Sequence, residues 1–389
     1  KSLLQHEPVE DREPRFNYLE MIREYALERL NESGQEENSR EMHAKYYLKL
    51  AEDAAHMLQG PQQKTCFEHL EREHNNMRAA LEWFLQQAEG KVSLYTEEES
   101  GLRMTAALWL FWDTYGYVSE GRRWLDRALA VGGAPTNACV DALNGAAYLA
   151  MRQADVDTSF QRYEESLTLA RQLGYQRGIA VALSGLGYLH ETLGDNNELM
   201  ESLFAESLDL WRVLGDKHGI ARALGPLAHR AASRYDFNQS KRLFQESLAL
   251  FKEVGDQREI AGALWNLGDL ALRVGDCIEA EYLFTESLVN YRELKDIHGI
   301  ATQLRSLGEV ARCQGNPEQA LDYLQEALSS LRKLEDRACT SHTLLWMARV
   351  ALEQGKLNQA NSIAQEALEI CQQFSYSQIQ SRLHSLLGL

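Results

Sequence analysis

The stretch Ala263-Leu264-Trp265-Asn266-Leu267-Gly268-Asp269-Leu270-Ala271-Leu272-Arg273-Val274-Gly275-Asp276 decides the fold. Ala263, Leu264, Leu267 and Ala271 follow the i, i+3, i+4 pattern of one helical face. Gly268 has no side chain and so admits a neighbouring helix at short range. Gly275 ends the helix in the left-handed conformation that glycine adopts cheaply. A second apolar stripe follows on Ala280, Leu283, Phe284, Ser287, Leu288 and Tyr291. The spacing predicts two helices joined by a tight turn, and neither can bury its stripe alone.

The pattern repeats. Leu267-Gly268 has counterparts in Leu186-Gly187, Leu227-Ala228, Leu307-Gly308 and Met347-Ala348, at steps of 41, 40, 40 and 40 residues. Eight residues beyond each stands a turn: Gly194-Asp195, Tyr235-Asp236, Gly275-Asp276, Gly315-Asn316 and Gly355-Lys356. Glu286-Ser287-Leu288 recurs in the same register as Glu165-Ser166-Leu167, Glu206-Ser207-Leu208, Glu246-Ser247-Leu248, Glu326-Ala327-Leu328 and Glu366-Ala367-Leu368. Ala146-Ala147 and Leu108-Trp109 extend the register towards the N-terminus. Seven units are expected, near 101–134, 138–174, 177–215, 218–255, 258–295, 298–335 and 338–374. Ser377 to Leu387 then reads as a last helix capping the open end. The expected fold class is all-α, a superhelix of stacked helical hairpins.

Composition narrows the function. The 389 residues hold 57 acidic against 40 basic side chains, a net charge of −17, which disfavours a nucleic-acid partner. A hydrophobic share of 44% with 6 prolines excludes a disordered class. The longest nearly unbroken apolar stretch, Met104 to Trp112, is far short of the ~20 residues that span a bilayer. No membrane association and a cytoplasmic location are therefore expected. The six cysteines (66, 139, 277, 313, 339 and 371) form no CxxC pair and read as free, mostly buried thiols. The chain opens without Met, as a piece of a longer protein would.

Small residues at 268 and 280, a bulky one at 284 and a small one at 287 resemble the tetratricopeptide repeat, with longer helices than its basic unit of about 34 residues. A second resemblance lies upstream. The run Arg15-Phe16-Asn17-Tyr18-Leu19-Glu20-Met21-Ile22-Arg23-Glu24-Tyr25-Ala26-Leu27-Glu28-Arg29-Leu30 is similar to the wing strand and final helix of the winged-helix domain in bacterial STAND ATPases, NB-ARC-type signalling proteins. Leu70-Glu71-Arg72-Glu73-His74-Asn75-Asn76-Met77-Arg78-Ala79-Ala80-Leu81-Glu82-Trp83 is similar to the helix that joins that domain to the repeats. The resemblance implies the end of a winged helix over 1–34, linker helices over 35–100, repeats over 101–375 and a capping helix over 376–389. Strands are expected at Lys1–Gln5 and Arg15–Leu19 around a polar turn from His6 to Pro14, then helices at Leu19–Leu30, Glu36–Leu58 and Gln62–Ala88. No GxxxxGK[ST] loop occurs, so the chain itself takes no cofactor, and ATP or ADP is expected in an upstream domain. The implied role is a sensor that holds its parent inactive until an inducer binds, with the nucleotide-binding domain as intramolecular partner.

No enzyme signature is visible. His69 and His74 are five apart, about 140° around a helix, and share no face. HExxH and GxSxG are absent, and Cys313 is the most exposed thiol by register. Direct contact with nucleic acid is not expected from a truncated winged helix without its recognition helix. What remains is the concave face. The tetratricopeptide register places Asn144, Tyr148, Arg152, Tyr188, Glu191, Arg222, His229, Trp265, Asp269, Arg273, Arg305, Glu309, Arg312, His342 and Arg349 there. Six arginines against three acids predict a locally basic groove that attracts an acidic peptide, a carboxylate or a phosphorylated group. A competing reading pairs each arginine with a neighbouring acid and packs Trp265 between helices. Trp109, Trp112 and Trp124 read as core. The central groove, Tyr188 to Arg312, is expected to receive a peptide, protein or small-molecule inducer, and Glu at 273 and 305 is expected to abolish its binding. A constitutive adaptor, the sensor part of a transcription regulator and a binding site on the convex face stay open.

Overall fold

The structure is a computed structural model, and it describes residues 4–7, 15–18, 20–90, 97–131, 135–193, 197–334, 336–374 and 377–387. A two-stranded antiparallel hairpin, β1 (Leu4–Glu7) and β2 (Arg15–Tyr18), pairs Leu4 with Tyr18 and Glu7 with Arg15. Most of the turn expected between them, and the Gly194-Asp195 turn, lie outside the described residues. Three helices follow: α1 (Glu20–Glu32), α2 (Glu36–Met57) and α3 (Gln63–Gly90).

The remainder is a run of helical hairpins: α4 (Glu97–Thr114) with α5 (Val118–Ala130), α6 (Asn137–Arg152) with α7 (Val156–Leu173), and α8 (Gln176–Leu193) with α9 (Asn197–Leu214). Then come α10 (Lys217–Ser233) with α11 (Phe237–Val254), α12 (Gln257–Arg273) with α13 (Cys277–Leu294), and α14 (Ile297–Cys313) with α15 (Pro317–Lys333). Helices α16 (Arg337–Glu353) and α17 (Leu357–Phe374) form the last pair, and α18 (Ser377–Leu387) packs on both. Apart from the small hairpin, the described residues are helical, and the class is all-α.

Two repeated residues explain how each pair closes. A Cβ on Gly268 would stand 2.6 Å from the ring of Phe284, and one on Gly187 would stand 2.7 Å from that of Phe204. The missing side chain is the seat of the aromatic ring. The serine of the Glu-Ser-Leu motif is buried and donates to a backbone carbonyl on the preceding helix: Ser207 to Ala180, Ser247 to Ala221 and Ser287 to Ala261, at 2.8, 2.8 and 2.7 Å. A small residue is needed for the close approach, and its hydroxyl finds a partner there. Tyr235 takes the left-handed turn position that Gly275, Gly315 and Gly355 hold in later units, with φ of 63°.

A further ladder joins one repeat to the next. Asp216, Asp256, Asp296 and Asp336 each cap the first helix of a unit, Oδ1 accepting the amide of Gly219, Glu259, Gly299 or Cys339 at 2.8–3.0 Å. Oδ2 of each faces a basic side chain from the second position of the preceding unit's first helix. The pairs are Arg177–Asp216 at 3.8 Å, His218–Asp256 at 3.0 Å, Arg258–Asp296 at 3.0 Å and His298–Asp336 at 3.1 Å.

Candidate binding cavity

The first helix of each hairpin faces the inside of the superhelix, and that inner face turns far enough to meet α3 again. Buried Gln63, at the start of α3, bridges the gap: its amide nitrogen donates to Asp256 Oδ1 at 3.0 Å, and its oxygen accepts the backbone N–H of Arg258 at 3.0 Å. Lys295 pairs with Glu68 at 3.3 Å.

The deepest contact of the closure is Asp113 on α4, whose carboxylate is wholly buried. Its Oδ1 accepts from Arg152 Nε on α6 at 2.7 Å, and its Oδ2 accepts from Arg258 Nη2 on α12 at 2.7 Å. Burial pushes the Asp113 carboxyl up, but the two guanidinium groups outweigh it and hold it below the ordinary carboxylate range. Breaking such a pair strands a buried charge, whereas the intact set is balanced. Arg258 is thus shared among α4, α14 and the α3 latch.

The closed turn surrounds a cavity of about 1100 Å³. Glu52 and His56 of α2, Arg103 and Trp109 of α4, and the inner faces of α6, α8, α10 and α12 line it. The floor includes Asn144, Tyr148, Arg152, Tyr188 and Arg222 from the predicted set, together with Tyr163, Arg258 and His298. Asn144 is 6% exposed; its Oδ1 accepts from Ser166 at 2.8 Å, while its Nδ2 has no partner among the described residues. Tyr148 lies against Trp109, ring centroids 5.0 Å apart, and its hydroxyl points to Asp113. Among the described residues Arg222 reaches no hydrogen-bond partner, and Glu259 is 3.9 Å away.

The other predicted groove residues do not line this cavity. Glu191 is exposed. His229 joins Asn266 at 3.0 Å, and Trp265 donates to Ser306 at 2.9 Å, each bridging neighbouring units. Arg273 pairs with Asp269 one turn away at 2.7 Å. Arg312 pairs with Glu353 at 2.9 Å, Arg349 lies 3.5 Å from the same carboxylate, and the two guanidinium groups flank the Trp346 ring at 5.6 and 5.3 Å. Burial and the facing Arg305 and Arg382 depress His342 to about 3, so it is neutral, and burial raises the Glu309 carboxyl. Among the described residues Arg305 has no carboxylate within 4.0 Å. The predicted net positive groove is therefore corrected. Asp113, Glu259 and Glu353, absent from the register list, neutralise most of it.

Other expectations shift too. Trp112 is core, but Trp109 and Trp124 are only partly buried, and Trp109 walls the cavity. Cys66 and Cys371 are buried, three other thiols are half-buried and Cys313 is exposed; burial raises the Cys313 thiol, against a nucleophilic role.

Sequence spacing also missed one convergence. His298 Nε2 lies 3.1 Å from Asp336 Oδ2 and 3.6 Å from Cys339 Sγ, a donor set with metal-ligand character. Arg152 Nη1 stands 3.1 Å from the same nitrogen, placing a positive charge where a cation would sit. The cluster works as a rung of the aspartate ladder tied to the closure. The signal was present: Asp216-Lys217-His218, Asp256-Gln257-Arg258 and Asp296-Ile297-His298 keep the 40-residue step.

Residues 299–373 match the tetratricopeptide repeat family. No curated protein matches the chain at a significant level. Among solved structures the chain is similar to a Rap protein complexed with competence and sporulation factor, with TM-score 0.62 and 13% identity over 87% of this chain and 99% of that one. It is similar to aspartyl phosphate phosphatase F from Bacillus subtilis, with TM-score 0.53 and 9% identity over 85% and 94% of the two chains. It is also similar to a STAND protein with a tetratricopeptide repeat sensor from Pyrococcus horikoshii, with TM-score 0.50 and 12% identity over 81% of this chain and 50% of that one. Among the described residues no helix is long and apolar enough to cross a membrane. The likenesses establish the fold: a solenoid of tetratricopeptide type, an architecture suited to binding proteins.

Proposed function

We propose that this chain is the non-enzymatic sensor region of a STAND-type signalling ATPase, which binds a peptide, protein segment or small-molecule inducer inside the closed superhelical turn. One observation carries the reading: the linker helices that precede the repeats both wall the cavity and latch it. Glu52 and His56 of α2 line it, while Gln63 of α3, joined by Asp113 on the first repeat helix α4, holds α12. Whatever fills the cavity acts on the segment nearest the upstream nucleotide-binding domain.

The switch requires an inducer that binds the activated arrangement of these helices better than the latched one, since equal affinity shifts nothing. Release of the linker then permits ATP to replace ADP in the parent, and oligomerisation follows. Two of the structural likenesses suit this reading: a sensor in the archaeal STAND protein, and a Rap protein complexed with a named factor.

Native mass spectrometry of the chain purified from its host tests the proposal, followed by nucleotide-release assays on the parent with the recovered ligand. A mass excess that is lost on denaturation, and faster nucleotide release with that ligand, are expected. A ligand-free mass together with release rates that no host extract changes contradicts it.

A further inference from the structure

We infer that Cys277 and Cys313 form a modification site, a dithiol that hydrogen peroxide converts to a disulfide stapling α13 to α14. Cys277 is the first residue of α13 and Cys313 the last of α14. The two helices pack side by side in opposite directions, so the start of one meets the end of the other. Gln314, next to Cys313, donates to Glu281 Oε2, one turn into α13, at 2.7 Å and fixes that register. The thiols themselves meet in a side-chain hydrogen bond. Thiols in contact across facing helices reach bonding distance by side-chain rotation, without moving a helix. The inference is independent of the sensing role.

The pair is no by-product of the repeat. One repeat earlier Phe237 and Arg273 hold these positions, and one repeat later Pro317 and Glu353 hold them. The two sulfurs also differ in the way a stepwise oxidation uses. Cys313 is exposed and open to a small oxidant, and Arg312 Nη2 donates to its sulfur at 3.5 Å, where a cation favours the thiolate. Cys277 is half-buried, packed against the core cluster of Ala271, Ala280 and Phe284, and is placed as the resolving sulfur. Burial raises the Cys313 thiol above its usual value despite Arg312. Scarce thiolate bars rapid turnover at Cys313 but only slows a single oxidation, since the second sulfur is already in place.

The modification is a two-electron oxidation. The Cys313 thiol gives its proton to water, and its sulfur attacks one oxygen of the peroxide. The O–O bond breaks, the leaving hydroxide takes up a proton as water, and a sulfenic acid stands on Cys313. The Cys277 sulfur then attacks the Cys313 sulfur, the S–O bond breaks, and the Cys277 proton leaves with the hydroxide as a second water. Two thiols and one peroxide thus give one disulfide and two waters, the sulfurs oxidised and the peroxide reduced. In a reducing compartment such a bridge is transient, and a dithiol reductant opens it again.

Peptide mapping tests the site. The reduced full chain is treated with hydrogen peroxide, alkylated, digested with trypsin without reduction and analysed by mass spectrometry. Cleavage after Arg273, Arg292, Arg312 and Arg332 leaves each cysteine alone in its peptide, 274–292 and 313–332. The main crosslink expected joins these two peptides, weighs about 2 Da less than their sum and disappears with dithiothreitol. The bridged protein should unfold at a higher urea midpoint than the reduced one, and Cys277→Ser should abolish that shift. In Cys277→Ser the Cys313 sulfenic acid has no resolving sulfur, so dimedone should label it more strongly than in the intact chain. Cys313→Ser should leave Cys277 a free thiol; circular dichroism checks that each variant is folded. Cys313 carried to sulfinic acid beside a free Cys277 in the intact chain overturns the pairing. So does a dominant Cys313–Cys313 link between two chains, a main crosslink to any other cysteine, or two thiols left free at peroxide doses that oxidise free cysteine.

Discussion

The two halves of the inner face share one repeat yet differ in what their polar residues do. From α4 to α12 the side chains reach across the superhelix: Asp113 meets Arg258, 145 positions away, and Gln63 meets Asp256, 193 positions away. From Trp265 onward most inner-face partners are one turn or one repeat distant, as in Arg273–Asp269, Trp265–Ser306 and Arg312–Glu353, while Lys295–Glu68 and Arg152–His298 still cross the superhelix. The first half encloses a space, and the second half fills its own. A repeat sequence therefore sets the wall, while a few non-repeated residues decide where the wall becomes a cavity.

The sharpest way to break this contrast is Asp113→Ala. It strands Arg152 and Arg258 without their buried carboxylate and is expected to cost about 3–5 kcal/mol. Urea denaturation measures the loss, and small-angle scattering should show a wider superhelix.

Next in size is Gln63→Leu. The buried Asp256 carboxylate and the Arg258 amide each lose a partner, for an expected loss of about 1–3 kcal/mol, read by the same denaturation.

Titration of His298 gives a pH-dependent version of the test. Burial and Arg152 lower its pKa, but the hydrogen bond to Asp336 and the neighbouring Cys339 prevail and raise it to about 9. With an unfolded value of 6.5, the stability it adds is complete below pH 6.5 and is lost as pH rises through 9. The unfolding free energy from urea denaturation should fall across that window by an amount on the order of 3 kcal/mol, and His298→Gln should flatten the fall. An equal slope in the variant removes His298 from the closure.

Arg273→Glu should do least. Its partner, Asp269, is a half-buried neighbour one turn away on the same helix, and such pairs are worth about 0.3–0.5 kcal/mol. Affinity for a cavity ligand should not change, in contrast to the sequence-based expectation that Arg273 and Arg305 carry binding.

The helical hairpins were legible because packing repeats at a fixed step: Gly268 seats Phe284, Gly187 seats Phe204, and the motif serines find the same carbonyl in successive units. The cavity was not legible in that way. Asp113, Gln63 and Arg258 matter through how far the superhelix turns, a sum of small rotations that no local spacing records. The register still brought Asn144, Tyr148, Arg152, Tyr188 and Arg222 to one cavity, because all stand on first helices of early units. It scattered the rest, because the same register continues past the point where the turn has closed. The aspartate ladder lay between these cases, periodic and readable, but its partners belong to adjacent units and share no segment.

Closure of the superhelix is the claim on which the cavity, the latch and the sensing role all depend. Spin labels attached through unnatural amino acids at exposed Lys64 on α3 and Glu293 on α13 report on it by double electron–electron resonance. A single narrow, short distance in the intact chain, broadened and lengthened by Asp113→Ala, is the predicted result. A broad, long distribution that is the same in both proteins contradicts it.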